Sequence, residues 1–152
     1  MAALIALAGP APADLSEHSF PSQTLGREMA FSVYVPPDYT LRDASYPVLY
    51  LLHGLGDDHR SWGRAGIEAI ADGFVAEGGA PLIVVMPDAG VSWYADADEE
   101  TGPGNLHAAI RDDLVAHVDA TWRTRPEPAA RAVAGHSMGC LTSAPMGQFR
   151  VI

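Results

Sequence analysis

Gly135-His136-Ser137-Met138-Gly139 sets a serine between two glycines in the spacing G-x-S-x-G. The chemistry served by this spacing is nucleophilic attack. A serine on a tight strand-to-helix turn holds its hydroxyl clear of the strand, and glycines two residues to either side let neighbouring chain approach without a side-chain clash. A chain of this length matches the pattern by chance about one time in twenty, and the bland reading is a glycine-rich loop. Context adds weight, because the apolar run Ala132-Val133-Ala134 leads straight into the turn.

A second motif, Leu51-Leu52-His53-Gly54-Leu55-Gly56, also closes an apolar run. Attack on a carbonyl develops an oxyanion, which preorganised backbone N–H groups stabilise. A glycine-rich turn after a buried strand presents such donors. Here the expected pair is the N–H of Leu55 and the N–H of Met138, the residue after the serine. His53 tempts as a base, although a histidine in such a turn more often hydrogen-bonds the loop backbone.

Those turns need strands and helices to carry them. Residues 46–54, 81–88 and 130–135 are apolar runs, the first and last closed by glycine, the signature of strands buried on both faces of a parallel sheet. Between them, 61–78 puts Trp62, Ile67, Ile70, Phe74 and Val75 near helical spacing. Residues 105–123 repeat Leu106, Ile110, Leu114, Val118 and Trp122 every four positions behind a cap at Asn105. Thr24–Val35 partly alternates, with Gly26 as a turn between two strands, and the Pro36-Pro37 pair ends it. Strand-helix alternation implies an α/β fold with a mostly parallel sheet flanked by helices. Residues 1–20 read as a flexible lead-in or a signal-peptide remnant, and 21–152 as one partial domain.

Composition narrows the partners. The net charge is −10 and all nine basic residues are Arg, with no basic run, which argues against nucleic acid and against an anionic membrane surface. The apolar stretch at the start is too short to span a bilayer. Cytoplasmic location is favoured, with secretion the alternative if the start is a leader remnant. The single cysteine, Cys140, cannot form an internal disulfide.

The blocks YPVLYLLHGLGDDHRSW, PLIVVMPDAGVSWYADAD, DDLVAHVDATWRT and RAVAGHSMG, in this order, resemble the esterase branch of the α/β-hydrolases. That branch includes esterase D (S-formylglutathione hydrolase), feruloyl and acetyl-xylan esterase domains, and the antigen 85 mycolyltransferases. The resemblance covers roughly residues 20–140. It implies Ser137 as nucleophile and Leu55 and Met138 as oxyanion-hole N–H donors. It places His53, Gly54, His136, Trp93 and Tyr94 near a small-molecule ester or thioester substrate, with Trp62 packing instead of binding, and implies no metal and no cofactor.

In that family the acid and the histidine of the triad come after the serine. Beyond Ser137 the sequence reads MGCLTSAPMGQFRVI, without a histidine or an acid; the six histidines stand at 18, 53, 59, 107, 117 and 136. The expectation is therefore a fold ending just after the nucleophile turn, by frameshift or truncation. The outer edge of the serine-bearing strand is then unpaired and invites self-association. Three functional readings are open: a serine esterase working through an acyl-serine, an inactive fragment or binding module, and an acyltransferase of the mycolyltransferase kind. His107 and His117 lie on different faces of one helix and are expected to be structural. The acidic stretch Asp96, Asp98, Glu99, Glu100 and the trio Asp57-Asp58-His59 match no cation-binding spacing and are expected to be solvated.

Overall fold

The computed structural model describes residues 13–96, 104–140 and 150–151. Strands β1 (Asp14–Ser22), β2 (Arg27–Val35), β3 (Val48–Leu52), β4 (Ile83–Pro87), β5 (Arg131–Gly135) and β6 (Arg150–Val151) form one sheet in the order β1-β2-β4-β3-β5-β6. β4, β3, β5 and β6 are mutually parallel, whereas β1 and β2 form an antiparallel hairpin joined to β4. The sheet is α/β in kind, with a mixed edge.

The parallel core arises from the apolar runs. Every residue of β4 is buried, as a central strand covered on both faces requires. Alternation along each strand divides the core in two. Val48, Tyr50, Leu52, Ile83, Val85 and Val133 face one helix layer, while Leu51, Val84 and Met86 face the other.

Residues 14–20, expected as lead-in, are part of β1. Sequence pattern missed this strand because it is the outermost one among the described residues. A polar, proline-containing sequence is tolerated where one edge has no ladder partner, and Pro21 sits there opposite Glu28. The hairpin turn is at Gly26 (φ 61°), as its sequence implied. Residues 1–12, the other part of that lead-in, lie outside the described residues.

The helix expected over 61–78 is two: α1 (Ser61–Arg64) and α2 (Ile67–Ala76), separated by Gly66 at φ 88°. A left-handed residue cannot continue a right-handed helix. The break rotates α2 so that Ala71 is its buried residue, and Ile70 and Phe74, expected on the core face, are 64% and 50% exposed.

The second helix, α3, spans 106–121 and is α-helical over Leu106–Ala108, π-helical over Ala109–Leu114 and α-helical again over Val115–Thr121. At 3.6 residues per turn, a four-residue step overshoots a full turn by about 40°. Three such steps would carry Val118 well off the line of Leu106. The wider i→i+5 turn in the middle takes back part of that drift, and Leu106, Ile110, Leu114 and Val118 are all 0% exposed on one face. Asn105 occupies the cap position without a side-chain cap bond. Asp96 Oδ1 instead accepts the Ala108 N–H at 3.0 Å.

The outer edge of β5 was expected to be bare. It pairs with β6 at Ala132 and Val133, so that edge is in part occupied.

Candidate active site

β3 and β5 are parallel neighbours, so the turns after them emerge side by side at the same edge of the sheet, the edge where open α/β sheets bind ligands. After β5 the chain reverses within one residue. The His136 N–H still bonds Leu52 O at 3.2 Å, Ser137 is left-handed at φ 53°, and Ser137–Cys140 forms a single 3-10 turn with the Gly139 N–H on His136 O. Ser137 is exposed at the apex, while Met138 behind it is fully buried. The next segment, 141–149, lies outside the described residues.

The two flanking glycines are demanded by contact. A Cβ on Gly135 would sit 2.7 Å from the Gly139 carbonyl carbon, and one on Gly139 would sit 2.8 Å from both Leu52 Cβ and Leu52 O. Backbone against backbone leaves no flexible atom to yield. The turn is thereby pressed onto β3, and the strain at Ser137, about 1–2 kcal/mol for an L-residue there, is held by this fit. The β3 turn also approaches, less tightly: a Cβ on Gly54 would lie 3.1 Å from His136 Nδ1 and 3.5 Å from Ser137 Cβ.

His53 is 1% exposed and does not offer its ring to a substrate. Nδ1 is 2.8 Å from Gly54 O, and Nε2 accepts the Ala89 N–H at 3.0 Å. Tyr94, also expected near the substrate, is 1% exposed, with its hydroxyl donating to His53 O at 3.2 Å. Burial pushes the Tyr94 phenol well up from its ordinary value, so it remains a neutral donor. Trp93 differs: it is 49% exposed, and its N–H meets Met138 Sδ at 3.3 Å. Trp93 (φ 56°) and Tyr94 (φ 51°) are both left-handed, a pair of strained residues beside the strained Ser137. The thioether of Met138 as the acceptor that fastens this loop had no signal in the sequence, because it depends on where residue 93 arrives in space. Leu55 is 53% exposed, and its N–H is paired with no described acceptor.

A cavity of about 200 Å³ opens beside the two turns, lined by His53, Gly54, Asp57, Ser61, Trp62 and His136 among others. Trp62 also packs against the Tyr34, Leu51 and Ala71 side of the core. His136 is exposed next to Ser137. Of the remaining histidines, His107 on α3 has its Nε2 buried without a hydrogen-bond partner among the described residues, and the other three are engaged away from Ser137. His59 bonds Ser32 Oγ at 2.8 Å, His18 bonds Ser16 Oγ, and His117 stacks on Phe20 at 4.6 Å. Burial and then His18 hold the His117 imidazole below its ordinary value. No described residue hydrogen-bonds the Ser137 hydroxyl. Cys140 Sγ meets Gly135 O at 2.8 Å. Asp58 pairs with Arg60 and Arg64, Asp57 pairs with Arg64, and 98–100 lie outside the described residues. Among the described residues there is no cluster that could hold a metal ion, and no helix long and apolar enough to cross a membrane.

Residues 22–145 match the family described as "Putative esterase". The chain belongs to this esterase family. It is 36% identical over 126 residues to Esterase Rv1288 of Mycobacterium tuberculosis, covering 80% of this chain and 26% of that protein. Among solved structures, a ferulic acid esterase superposes with a TM-score of 0.75 at 25% identity, covering 85% of this chain and 51% of that one. An S-formylglutathione hydrolase from Agrobacterium tumefaciens superposes with a TM-score of 0.70 at 26% identity, covering 90% and 55%. The chain thus spans about half the length of these solved esterases and a quarter of the curated one.

Proposed function

We propose that the chain acts as a serine carboxylic-ester hydrolase on small-molecule esters or thioesters, with Ser137 as the nucleophile. The single observation that carries the reading is the exposed Ser137 hydroxyl at φ 53° on the tip of β5, pressed against the Gly54 turn. Ser137 Oγ forms a bond to the substrate carbonyl carbon, and the oxyanion develops toward the Leu55 and Met138 N–H groups. The tetrahedral adduct collapses, expelling the alkoxide or thiolate and leaving an acyl-serine, which water hydrolyses.

The hydroxyl proton must go to a base. No described residue hydrogen-bonds the Ser137 hydroxyl, and in the test below added imidazole serves as that base. The half-exposed Trp93 offers a flat surface to the acyl part. A relative named for ferulic acid and another named for S-formylglutathione support an aromatic acyl group or a thioester as the reacting part.

The test is mass spectrometry of the chain after p-nitrophenyl acetate, alongside Ser137→Ala. One acetyl group on Ser137, acquired faster with added imidazole and absent in the variant, is the expected result. No adduct favours the inactive binding module, labelling elsewhere in the variant overturns the nucleophile assignment, and transfer of the acetyl group to a sugar in place of water favours the acyltransferase reading.

A further inference from the structure

We propose that His53 is a positioning residue that holds the Gly54–Leu55 peptide in one orientation as its neutral Nδ1–H tautomer. The inference rests on the reading of Leu55 as an oxyanion donor and deepens it.

The protonation pattern is set by the partners. The Ala89 amide can only donate, and it lies 3.0 Å from Nε2, so Nε2 carries the lone pair. In a neutral imidazole the hydrogen is then on Nδ1, 2.8 Å from the Gly54 carbonyl, which can only accept. Both contacts are consistent with one tautomer and with no other. An imidazolium would set a second N–H against that of Ala89. The ring is 1% exposed, so water does not compete for either nitrogen.

The consequence lies in the next peptide. The carbonyl of Gly54 and the N–H of Leu55 belong to one planar unit and point in opposite directions. A bond that holds the carbonyl therefore aims the N–H. The Asp57 N–H adds a second donor to Gly54 O at 3.3 Å. From Ala89 the chain runs to Trp93, whose N–H reaches Met138 Sδ, and the Tyr94 hydroxyl returns to His53 O. One buried ring thus braces the Leu55 donor directly and is linked through a single loop to the turn that carries the Met138 donor. This assigns to a histidine that the chemistry leaves unused the task of preorganising the site, which is where much of the effect of oxyanion stabilisation originates.

Two measurements on the 152-residue chain test it. Long-range proton–nitrogen NMR at pH 7 should show Nδ1 protonated and Nε2 bare on His53; the opposite tautomer, or a ring averaging between both, overturns the proposal. The second is the affinity for phenylboronic acid, which adds to a nucleophilic serine as a tetrahedral anion and so senses the oxyanion donors. His53→Asn keeps a donor at the reach of Nδ1 but loses the acceptor of the Ala89 N–H, and should retain more affinity than either of the other two variants. His53→Gln, reaching Nε2 instead, and His53→Leu should weaken it roughly tenfold or more, with urea unfolding run in parallel to separate lost stability from lost binding. Equal binding in all four proteins overturns the brace. Absence of binding in the wild type overturns the oxyanion reading instead, and the tautomer together with the Leu55 amide shift in His53→Asn against His53→Gln then decides whether His53 orients that peptide.

Discussion

Two turns stand side by side at the ends of β3 and β5, and each contains a histidine with a glycine close after it. In the first, His53 is buried and both ring nitrogens are committed to backbone. In the second, His136 is exposed, and the chain is held by the absence of side chains at Gly135 and Gly139. A buried ring bonded to backbone holds one, whereas close backbone approach, with the backbone bonds of His136 and Gly139, holds the other. A left-handed apex that turns its own side chain outward, as at Ser137, has no bond from that side chain to hold it among the described residues. Its geometry must come from close approach of backbone behind it.

The comparison can be broken most forcefully at the fit. Gly135→Ala or Gly139→Ala drives a Cβ to 2.7–2.8 Å from backbone and should cost about 2–3 kcal/mol in urea unfolding. A cost near zero would mean the turn has room to shift and is not pressed onto β3.

A third turn, the hairpin at 23–26, is held the first way, by a side chain. The Asp113 carboxylate accepts from Ser22 Oγ at 2.6 Å and the Thr24 N–H at 2.8 Å. Burial by itself would raise the Asp113 carboxyl, but these bonds outweigh it and hold the group below its ordinary value. Asp113→Asn should therefore cost about 1.5 kcal/mol at neutral pH. Because the folded value is depressed, this stabilisation is complete above the unfolded value of about 3.9 and is lost as pH falls through the lower folded one. The gap between wild type and variant in urea titrations should narrow over that acid range and be flat at pH 6–8.

Ser137→Gly tests whether the apex is strained. Relief of the left-handed conformation gains about 1–2 kcal/mol, and the extra freedom of glycine in the unfolded chain takes back about 0.4–1. The net expectation is a variant more stable by up to about 1.5 kcal/mol that has lost acylation; a less stable one contradicts the strain. The smallest effect belongs to Gly54→Ala. Its Cβ meets the ring of His136, an exposed side chain that can swing away, so unfolding should move by less than about 0.5 kcal/mol while acylation of Ser137 slows.

Much of the site was legible in the sequence because its requirements are local. G-x-S-x-G needs glycine at set offsets, and the glycines at 135 and 139 indeed meet backbone. The apolar runs at 46–54, 81–88 and 130–135 became β3, β4 and β5 because burial on both faces leaves little choice of residue. The misreadings were of a different kind. Trp93 and Tyr94 look alike in the sequence, yet one is half exposed and the other buried under His53 O, a distinction made by which side of the loop faces β3.

By itself, then, the sequence determined the parallel core, the serine turn and the glycine turn beside it, since each is written in residues close together. Only the tertiary structure decided that a polar, proline-bearing segment is an edge strand, that one glycine at φ 88° turns Ile70 and Phe74 outward, and that His53 serves the loop. These outcomes depend on partners distant in sequence, an edge with no neighbour among the described residues, a helix re-aimed, an amide from residue 89. No local pattern carries such pairings.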